Sequence, residues 1–110
     1  MKLSNNKILI TGGATGIGLA LAVRFIEENN TVIICGRRAS ALQEAAEKFP
    51  ALITRVCDVA NAEERENLLA WIAAEHKDLN VLVINRHPLL YAGIVDQYIQ
   101  VLMFSSDPCQ

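Results

Sequence analysis

The glycines between Thr11 and Gly18 form the part of this sequence with the clearest chemical meaning. The run Thr-Gly-Gly-Ala-Thr-Gly-Ile-Gly follows a short apolar strand pattern, Lys7–Ile10, and opens a helical pattern that extends from Ile17 to Glu28. A strand that turns through glycines into a helix offers an anion backbone N–H groups and a helix N-terminus with about half a positive charge. The run therefore predicts a nucleotide-binding turn. The alternative is a tight turn with close helix–strand packing and no ligand.

Two arginines stand where dinucleotide-binding folds place a ribose-reading residue, at the end of the second strand and about 20 residues past the glycines. An acidic residue there selects NAD, but the segment from Cys35 to Arg38 contains no carboxylate. Arg37 and Arg38 can hold a 2′-phosphate by charge-assisted, forked hydrogen bonds, beside the space that Gly36 leaves. We therefore expect NADP rather than NAD as the cofactor. The alternative is that both arginines only solvate the start of the second helix, where a cation is slightly unfavourable.

The glycine run matches the TGxxxGxG turn of short-chain dehydrogenases/reductases, and two later segments are similar to the same family. Cys57-Asp58-Val59 looks like the family's adenine-side motif after the third strand. Leu79–Asn85 resembles its fourth strand, which runs into an Asn-Asn-Ala-Gly motif. The segments 8–22, 31–38 and 55–59 are most similar to the DltE-type branch of bacterial oxidoreductases. The resemblance covers about residues 1–85.

The resemblance implies an NADP-dependent oxidoreductase that transfers hydride between the nicotinamide cofactor and a carbonyl or alcohol. It also implies a role for each matching position. Thr11 and Gly12 would shape the turn, Thr15 and Ile17 would line the phosphates and the nicotinamide side, and Gly16 and Gly18 would admit the pyrophosphate. Arg37 and Arg38 would bind the 2′-phosphate, Asp58 and Val59 the adenine, and Asn85 would lie near the adenosine ribose. Asp58 has an alternative role, because Asn61 follows closely and both could belong to the loop that starts the third helix.

The sequence departs from the family where catalysis would begin. Asn85 is followed by Arg-His-Pro instead of Asn-Ala-Gly, and neither Tyr91 nor Tyr98 has a lysine four residues later. In the family a tyrosine acts as general acid/base, and a lysine lowers the tyrosine pKa from its usual value of about 10. We therefore predict no catalytic residue in this sequence.

The chain is about half the usual length of the family, which leaves its history and its function open. Either the reading frame changes near Asn85, or an intact gene encodes a new C-terminal segment. Three functions remain: the cofactor half of an oxidoreductase with little catalysis of its own, an NADP-binding module without chemistry, or a non-functional fragment.

Composition argues against several other classes. The apolar share is 52% and the net charge is −2, with scattered charges, so no basic surface invites nucleic acid. No apolar run is long enough to cross a bilayer and no signal peptide is apparent, so we expect a cytoplasmic protein. Cys35, Cys57 and Cys109 lack metal-ligand or redox-pair spacing, and we interpret the first two as small buried hydrophobes. No metal site is predicted.

Strand and helix patterns alternate up to about Ile84, and they must position these residues. The strand candidates are Lys7–Thr11, Thr31–Cys35, Leu52–Cys57 and Val81–Ile84. Their apolar character without polar alternation is typical of a parallel sheet buried on both faces. Three helices separate them, and in the third Asn61 can cap the first turn while Glu64 reaches back to it. Right-handed crossovers then predict an α/β, Rossmann-like doubly wound parallel sheet with strand order 3-2-1-4 and helices on both faces.

We expect residues 1–85 to form an NAD(P)-binding Rossmann half-domain and residues 86–110 a divergent C-terminal tail. Within the tail, the apolar run Leu89–Phe104 is compatible with either a helix or a strand. This division leaves the fourth strand as an unpaired sheet edge and one apolar side of the first helix uncovered. Both features favour self-association.

Overall fold

Strands and helices alternate along the chain in this computed structural model, which describes residues 4–14, 16–86 and 98–103. The elements are β1 (Lys7–Thr11), α1 (Gly16–Glu27), β2 (Thr31–Gly36), α2 (Ala39–Lys48), β3 (Ile53–Val56), α3 (Ala62–Glu75), β4 (Val81–Arg86) and β5 (Tyr98–Met103). The four predicted strands and three predicted helices are present, with bounds within two residues of those expected for the strands. None of the helices in the described part of the chain is long and apolar enough to cross a membrane.

The sheet has the order β3-β2-β1-β4-β5. Strands β1 to β4 pair in parallel, which confirms the predicted order 3-2-1-4. The expectation that β4 is an unpaired edge was wrong, because β5 pairs with β4 in antiparallel register from Val81↔Met103 to Arg86↔Tyr98. The ladder with β5 uses the backbone N–H and C=O groups on the outer side of β4, so the edge on this side is β5.

Helices cover both faces of the sheet, as predicted. On one face Ile8, Ile10 and Ile34 of the strands form a buried cluster with residues of α1 and α2. On the other face Leu9, Ile33 and Cys35 form a second cluster with residues of α3. Because successive side chains of a strand point to opposite faces, each continuous apolar strand contributes residues to both clusters.

Small residues allow α1 to lie close to the sheet. Gly18 and Ala22, one helical turn apart, are the buried residues of this helix. Larger side chains on its flanks, including Leu21 and Phe25, pack against the same cluster and stay partly buried. Leu19, Leu21, Phe25 and Ile26 pack against the core cluster, so less of the apolar surface of α1 is uncovered than we expected. Ile17, at the start of the helix, is 47% exposed.

An asparagine network joins the starts of three strands at the amino edge of the sheet. The side-chain Nδ2 of Asn6 donates to Oδ1 of Asn30 at 3.1 Å, and Nδ2 of Asn80 donates to Oδ1 of Asn6 at 2.9 Å. Oδ1 of Asn80 accepts from the backbone N–H of Lys7 at 2.9 Å. Lys7 also forms an ion pair with Asp78 at 2.8 Å. These bonds fix the amino ends of β1, β2 and β4 relative to one another.

Candidate functional site

The loops that follow β1, β2 and β3 meet at the carboxyl edge of the sheet. The register pairs Thr11 with Cys35 and Gly36 with Val56, so the three neighbouring parallel strands end at nearly the same level. The predicted residues Gly12, Arg37 and Asp58 come directly or almost directly after these ends. The topology thus brings together three segments, the outer two more than 40 residues apart in sequence, at the edge where open α/β sheets bind their ligands.

The turn from β1 to α1 depends on backbone conformations that favour glycine. Gly12 has a φ of 66° and Gly16 a φ of 61°, both in the left-handed region. The N–H groups of Gly12 and Gly13 donate to the carbonyl oxygen of Cys35 at 2.9 and 3.4 Å, which ties the turn to the end of β2. Thr11, at the end of β1, is buried.

Gly13 has a structural role that our sequence analysis did not assign. A Cβ placed on Gly13 would lie 2.5 Å from Cγ2 and 2.8 Å from Cβ of Ile34, which is fully buried in the core. Only a residue without a side chain fits this contact with β2. In the sequence, the only sign of this role is that Gly13 directly follows another glycine. Such a pair does not show whether the second glycine is needed for packing or for the approach of a ligand.

Gly16 lies next to open space at the N-terminus of α1. A Cβ added there would meet no atom of the described residues within 4 Å. The first turn of this 12-residue helix contains no acidic residue, and the first N–H groups of an α-helix lack partners within the helix. An empty volume beside a helix N-terminus without competing carboxylates fits a phosphate group. Ile17 is exposed beside it, Gly18 is buried against the sheet, and Thr15 lies outside the described residues.

Arg37 and Arg38 are both exposed directly after β2. Arg38 occupies the N-cap position of α2 with extended backbone and makes no side-chain cap hydrogen bond. The first turn of α2 also lacks an acidic residue, so no carboxylate there neutralises the two guanidinium groups. A Cβ on Gly36 would have its nearest contact at 4.0 Å, to Leu42, so glycine leaves free space next to the arginines. Cations are unfavourable at a helix start, and two exposed guanidinium groups can hold a phosphate by charged hydrogen bonds.

The loop from β3 to α3 holds Asp58 and Val59. Asp58 is partly buried, and its Oδ1 accepts from the backbone N–H of Ala60 at 3.0 Å. Its carbonyl oxygen accepts from the N–H of Asn61 at 2.9 Å. Asp58 therefore does belong to the loop that starts α3, as our alternative interpretation held. A carboxylate has about four acceptor positions, so this role is compatible with a further bond to a ligand amine. Val59 is 40% exposed.

Glu64 makes a different contact from the one predicted. Asn61 caps α3 as expected, because its Oδ1 accepts from the N–H of Glu64 at 3.0 Å. The Glu64 carboxylate, however, accepts from the backbone N–H of Asp58 at 3.0 Å and not from Asn61. The reason is that the Asn61 N–H already donates to the Asp58 carbonyl. Beside it, Nη1 of Arg65 donates to the carbonyl oxygen of Val59 at 2.7 Å.

The cysteines near this edge are buried thiols. Burial raises the pKa of Cys35 to about 12. Burial, with Glu64 and Asp58 nearby, also raises the pKa of Cys57. Neither group ionises at neutral pH, so neither is suited to act as a nucleophile or metal ligand. No group of three or more potential metal-ligating side chains occurs in the residues that the structure describes. Cys109 lies outside them.

Asn85 lies on β4, at the same edge of the sheet. Its neighbour Ile84 pairs with Thr11 of β1, and Asn85 itself pairs with Ile99 of β5. Asn85 therefore follows the last residue pair of the β1–β4 ladder, just as Gly12 does on β1. Tyr91 falls outside the described residues, and Tyr98 begins β5.

Comparison with known proteins gives one consistent family. The sequence profile of the family described as short chain dehydrogenase matches residues 6–97, which extends beyond Asn85. The chain is 52% identical over 85 residues to the uncharacterized oxidoreductase DltE of Bacillus subtilis, covering 77% of this chain and 34% of that protein. It is 35% identical over 79 residues to the NADP-dependent 3-hydroxy acid dehydrogenase YdfG of Salmonella typhi, covering 71% and 32%.

Solved structures agree with the fold. A short chain dehydrogenase from Bacillus anthracis superposes with a TM-score of 0.70 at 29% identity, over 78% of this chain and 36% of that one. A variant of actinorhodin polyketide ketoreductase, solved with NADPH, gives a TM-score of 0.70 at 28% identity, over 79% and 35%. The chain thus spans about a third of the length of the relatives it matches.

Proposed function

The chain belongs to the short-chain dehydrogenase/reductase family, and on that basis we propose that it binds NADP(H) at the carboxyl edge of its sheet. In this proposal residues 1–85 are the cofactor-binding half of an oxidoreductase that interconverts a carbonyl and an alcohol. The observation that supports it best is the open space at Gly16, beside a helix N-terminus without acidic residues. A phosphate placed there is stabilised by the helix dipole and by backbone N–H groups.

The glycine turn would hold the pyrophosphate. Gly12 and Gly16 provide the left-handed backbone of the turn, and Gly18 lets α1 approach the sheet, so that the helix N-terminus points at the phosphates. Thr11 ends β1 under the turn, and Thr15 and Ile17 would line the phosphates and the nicotinamide side.

The arginines would select NADP over NAD. A 2′-phosphate adds about two negative charges to the adenosine ribose, and Arg37 is exposed and not neutralised by the first turn of α2. Arg38, at the helix N-cap, adds a second cation. YdfG of Salmonella typhi is named as NADP-dependent and the actinorhodin ketoreductase variant was solved with NADPH, which agrees with this choice.

The adenine would lie between the loops that follow β2 and β3. Asp58 would accept a hydrogen bond from the adenine amine, Val59 would cover the ring with its exposed side chain, and Asn85 would lie near the adenosine ribose. Each of these groups binds or orients the cofactor, which when bound supplies the donor or acceptor of hydride.

We do not expect turnover by these residues alone. The family's tyrosine–lysine pair is absent from the sequence, since neither Tyr91 nor Tyr98 precedes a lysine by four positions. The residues described above bind the cofactor but provide no general acid for a carbonyl oxygen. Incubation of the chain with NADPH and a panel of aldehydes and ketones should leave the NADPH absorbance unchanged, and oxidation of NADPH would contradict this part of the proposal.

Calorimetric titration tests the cofactor. We expect NADPH to bind at least about tenfold more tightly than NADH, a difference of about 1.4 kcal/mol. Arg37→Ala should remove most of the preference by weakening NADPH alone, with Arg38 accounting for any that remains. Lys48→Ala is the matched control, because it removes an exposed cation from the far end of the same helix. Equal affinity of the wild-type chain for both cofactors, or equal effects of the two variants, would contradict selection by Arg37.

A further inference from the structure

The first turn of α3 holds the loop that contains Asp58 from two sides. The carboxylate of Glu64 accepts from the backbone N–H of Asp58 at 3.0 Å, and its own backbone carbonyl accepts from the thiol of Cys57 at 3.6 Å. Arg65, the next residue, donates to the carbonyl of Val59 at 2.7 Å. Two adjacent helical residues therefore hold three consecutive loop residues, Cys57 through its thiol and Asp58 and Val59 through their backbone.

These contacts orient the Asp58 carboxylate. With its N–H bonded to Glu64, its carbonyl bonded to Asn61 and its Oδ1 bonded to Ala60, the backbone of Asp58 is fixed on both sides and its side chain has one oxygen occupied. The bond to Ala60 restricts the rotation of the carboxylate and leaves Oδ2 free to accept from a ligand.

We propose that Glu64 is a positioning residue that sets Asp58 to recognise the 6-amino group of the adenine base. This rests on the proposed binding of NADP(H) at the carboxyl edge. Glu64 touches no part of the cofactor in this scheme, and it acts only through the N–H of Asp58. Arg65 supports the same loop from the neighbouring position.

The competing explanation is that Glu64 only stabilises the start of α3. Acidic residues in a first turn do this through the helix dipole. Glu63, exposed in the same turn, has the same charge, and none of the hydrogen bonds found within the described ranges joins it to the loop. Glu63→Ala therefore removes the dipole effect without removing the contact with Asp58, and it serves as the matched control.

Three further variants separate contact from charge. Glu64→Ala removes both the acceptor and the charge. Glu64→Asp keeps the charge but is one methylene shorter, so its carboxylate cannot reach the Asp58 N–H in the same way. This variant keeps the proposal testable if the alanine variant does not fold. Glu64→Gln keeps an acceptor oxygen at the same reach and loses the charge.

The readout is the preference for adenine over hypoxanthine, measured as the ratio of dissociation constants of NADPH and its deamino analogue. Hypoxanthine has a carbonyl oxygen where adenine has the amine, so an oriented Asp58 carboxylate rejects it. We expect a preference of about tenfold in the wild-type chain, in Glu64→Gln and in Glu63→Ala, equivalent to about 1.4 kcal/mol. Glu64→Ala and Glu64→Asp should reduce the preference to about twofold or less, while the affinity for the deamino analogue changes little.

Each contrary result has a distinct meaning. If wild type binds neither dinucleotide, the proposed function itself fails and this inference with it. If wild type prefers adenine and the Glu64→Ala and Glu64→Asp variants retain the full preference, Glu64 does not position Asp58. If both dinucleotides weaken in parallel in these variants, or if Glu63→Ala behaves as they do, Glu64 is a helix-stabilising residue only.

Discussion

Substitution by alanine should mainly affect stability at Gly13 and mainly affect cofactor affinity at Gly16. Alanine at Gly13 places a Cβ 2.5 Å from the fully buried side chain of Ile34, a distance that requires the core to move. Overpacking of this kind costs about 1–3 kcal/mol. For a domain of this size each kcal/mol lowers Tm by roughly 4–8 °C. Gly13→Ala should therefore mainly reduce stability.

Gly16→Ala should mainly reduce cofactor affinity. The φ of 61° costs a residue with a Cβ about 1–2 kcal/mol, part of which is offset by the lower entropy of the unfolded chain. Among the residues that the structure describes, no atom lies within 4 Å of the added Cβ, so no clash with them adds to that cost. The methyl group instead occupies the open space assigned to the pyrophosphate, and we expect NADPH to bind at least about tenfold more weakly, by about 1.4 kcal/mol.

Thermal unfolding and calorimetric titration on both variants provide the assay. The Gly13→Ala chain should show the larger fall in Tm and, below its Tm, an NADPH affinity closer to that of the wild type. The reasoning is refuted if a folded Gly16→Ala chain binds NADPH as tightly as the wild type. It is also refuted if Gly13→Ala leaves Tm unchanged.

Three further predictions concern stability and reactivity. Asn30→Ala removes the acceptor of two hydrogen bonds from Asn6 and should cost about 1–3 kcal/mol of unfolding free energy in denaturant titrations. NADPH affinity should change little, because the network lies at the opposite edge of the sheet. The hydrogen bond from Lys7 lowers the pKa of Asp78, so the pair stabilises the fold above the ordinary pKa of an aspartate, and this stability is lost as the pH falls through the folded-state pKa. Since Asp78 is 67% exposed, Asp78→Asn should remove under about 1 kcal/mol of this pH dependence. Cys35 has a pKa of about 12, and its reactivity can be measured in a chain whose other two cysteines are replaced by serine. At pH 8 the thiol should react with a disulfide reagent only as fast as the chain unfolds, and rapid labelling would contradict its burial.

Self-association remains a proposal, but the sheet edge that would form the contact is no longer β4. Since β5 pairs with β4, the outer strands of the described sheet are β3 and β5. We expect sedimentation experiments to show concentration-dependent dimers. If such dimers persist unchanged when a proline is placed in either edge strand, the edges are not the contact.

The parallel core could be predicted from the sequence because its signals are local and mutually consistent. Each strand from β1 to β4 is a short run of β-branched and aliphatic residues, and each intervening helix has its own apolar face. With the handedness of the crossovers, these features leave few topologies open. The position of Arg37 and Asp58 at one edge followed from the same topology.

Other features depend on the path of the chain in three dimensions and were missed or left open. The apolar run Leu89–Phe104 suits a helix or a strand, and pairing with β4 determines that residues 98–103 form a strand. The partner of Glu64 depends on how the loop folds back, since the nearer N–H group, that of Asn61, already donates to the carbonyl oxygen of Asp58. The asparagines of the amino edge resemble ordinary loop residues in the sequence, and only the adjacency of three strand starts makes them a network.

Titration of the isotopically labelled chain with NADPH, followed by amide chemical shifts, tests most directly whether the carboxyl edge is the cofactor site. We predict saturable shifts of the amides of Gly16, Arg37 and Asp58, with little change at Asn30 and Asn80 on the opposite edge. Shifts centred on the asparagine network, or no shifts at millimolar NADPH in a folded chain, would contradict the assignment.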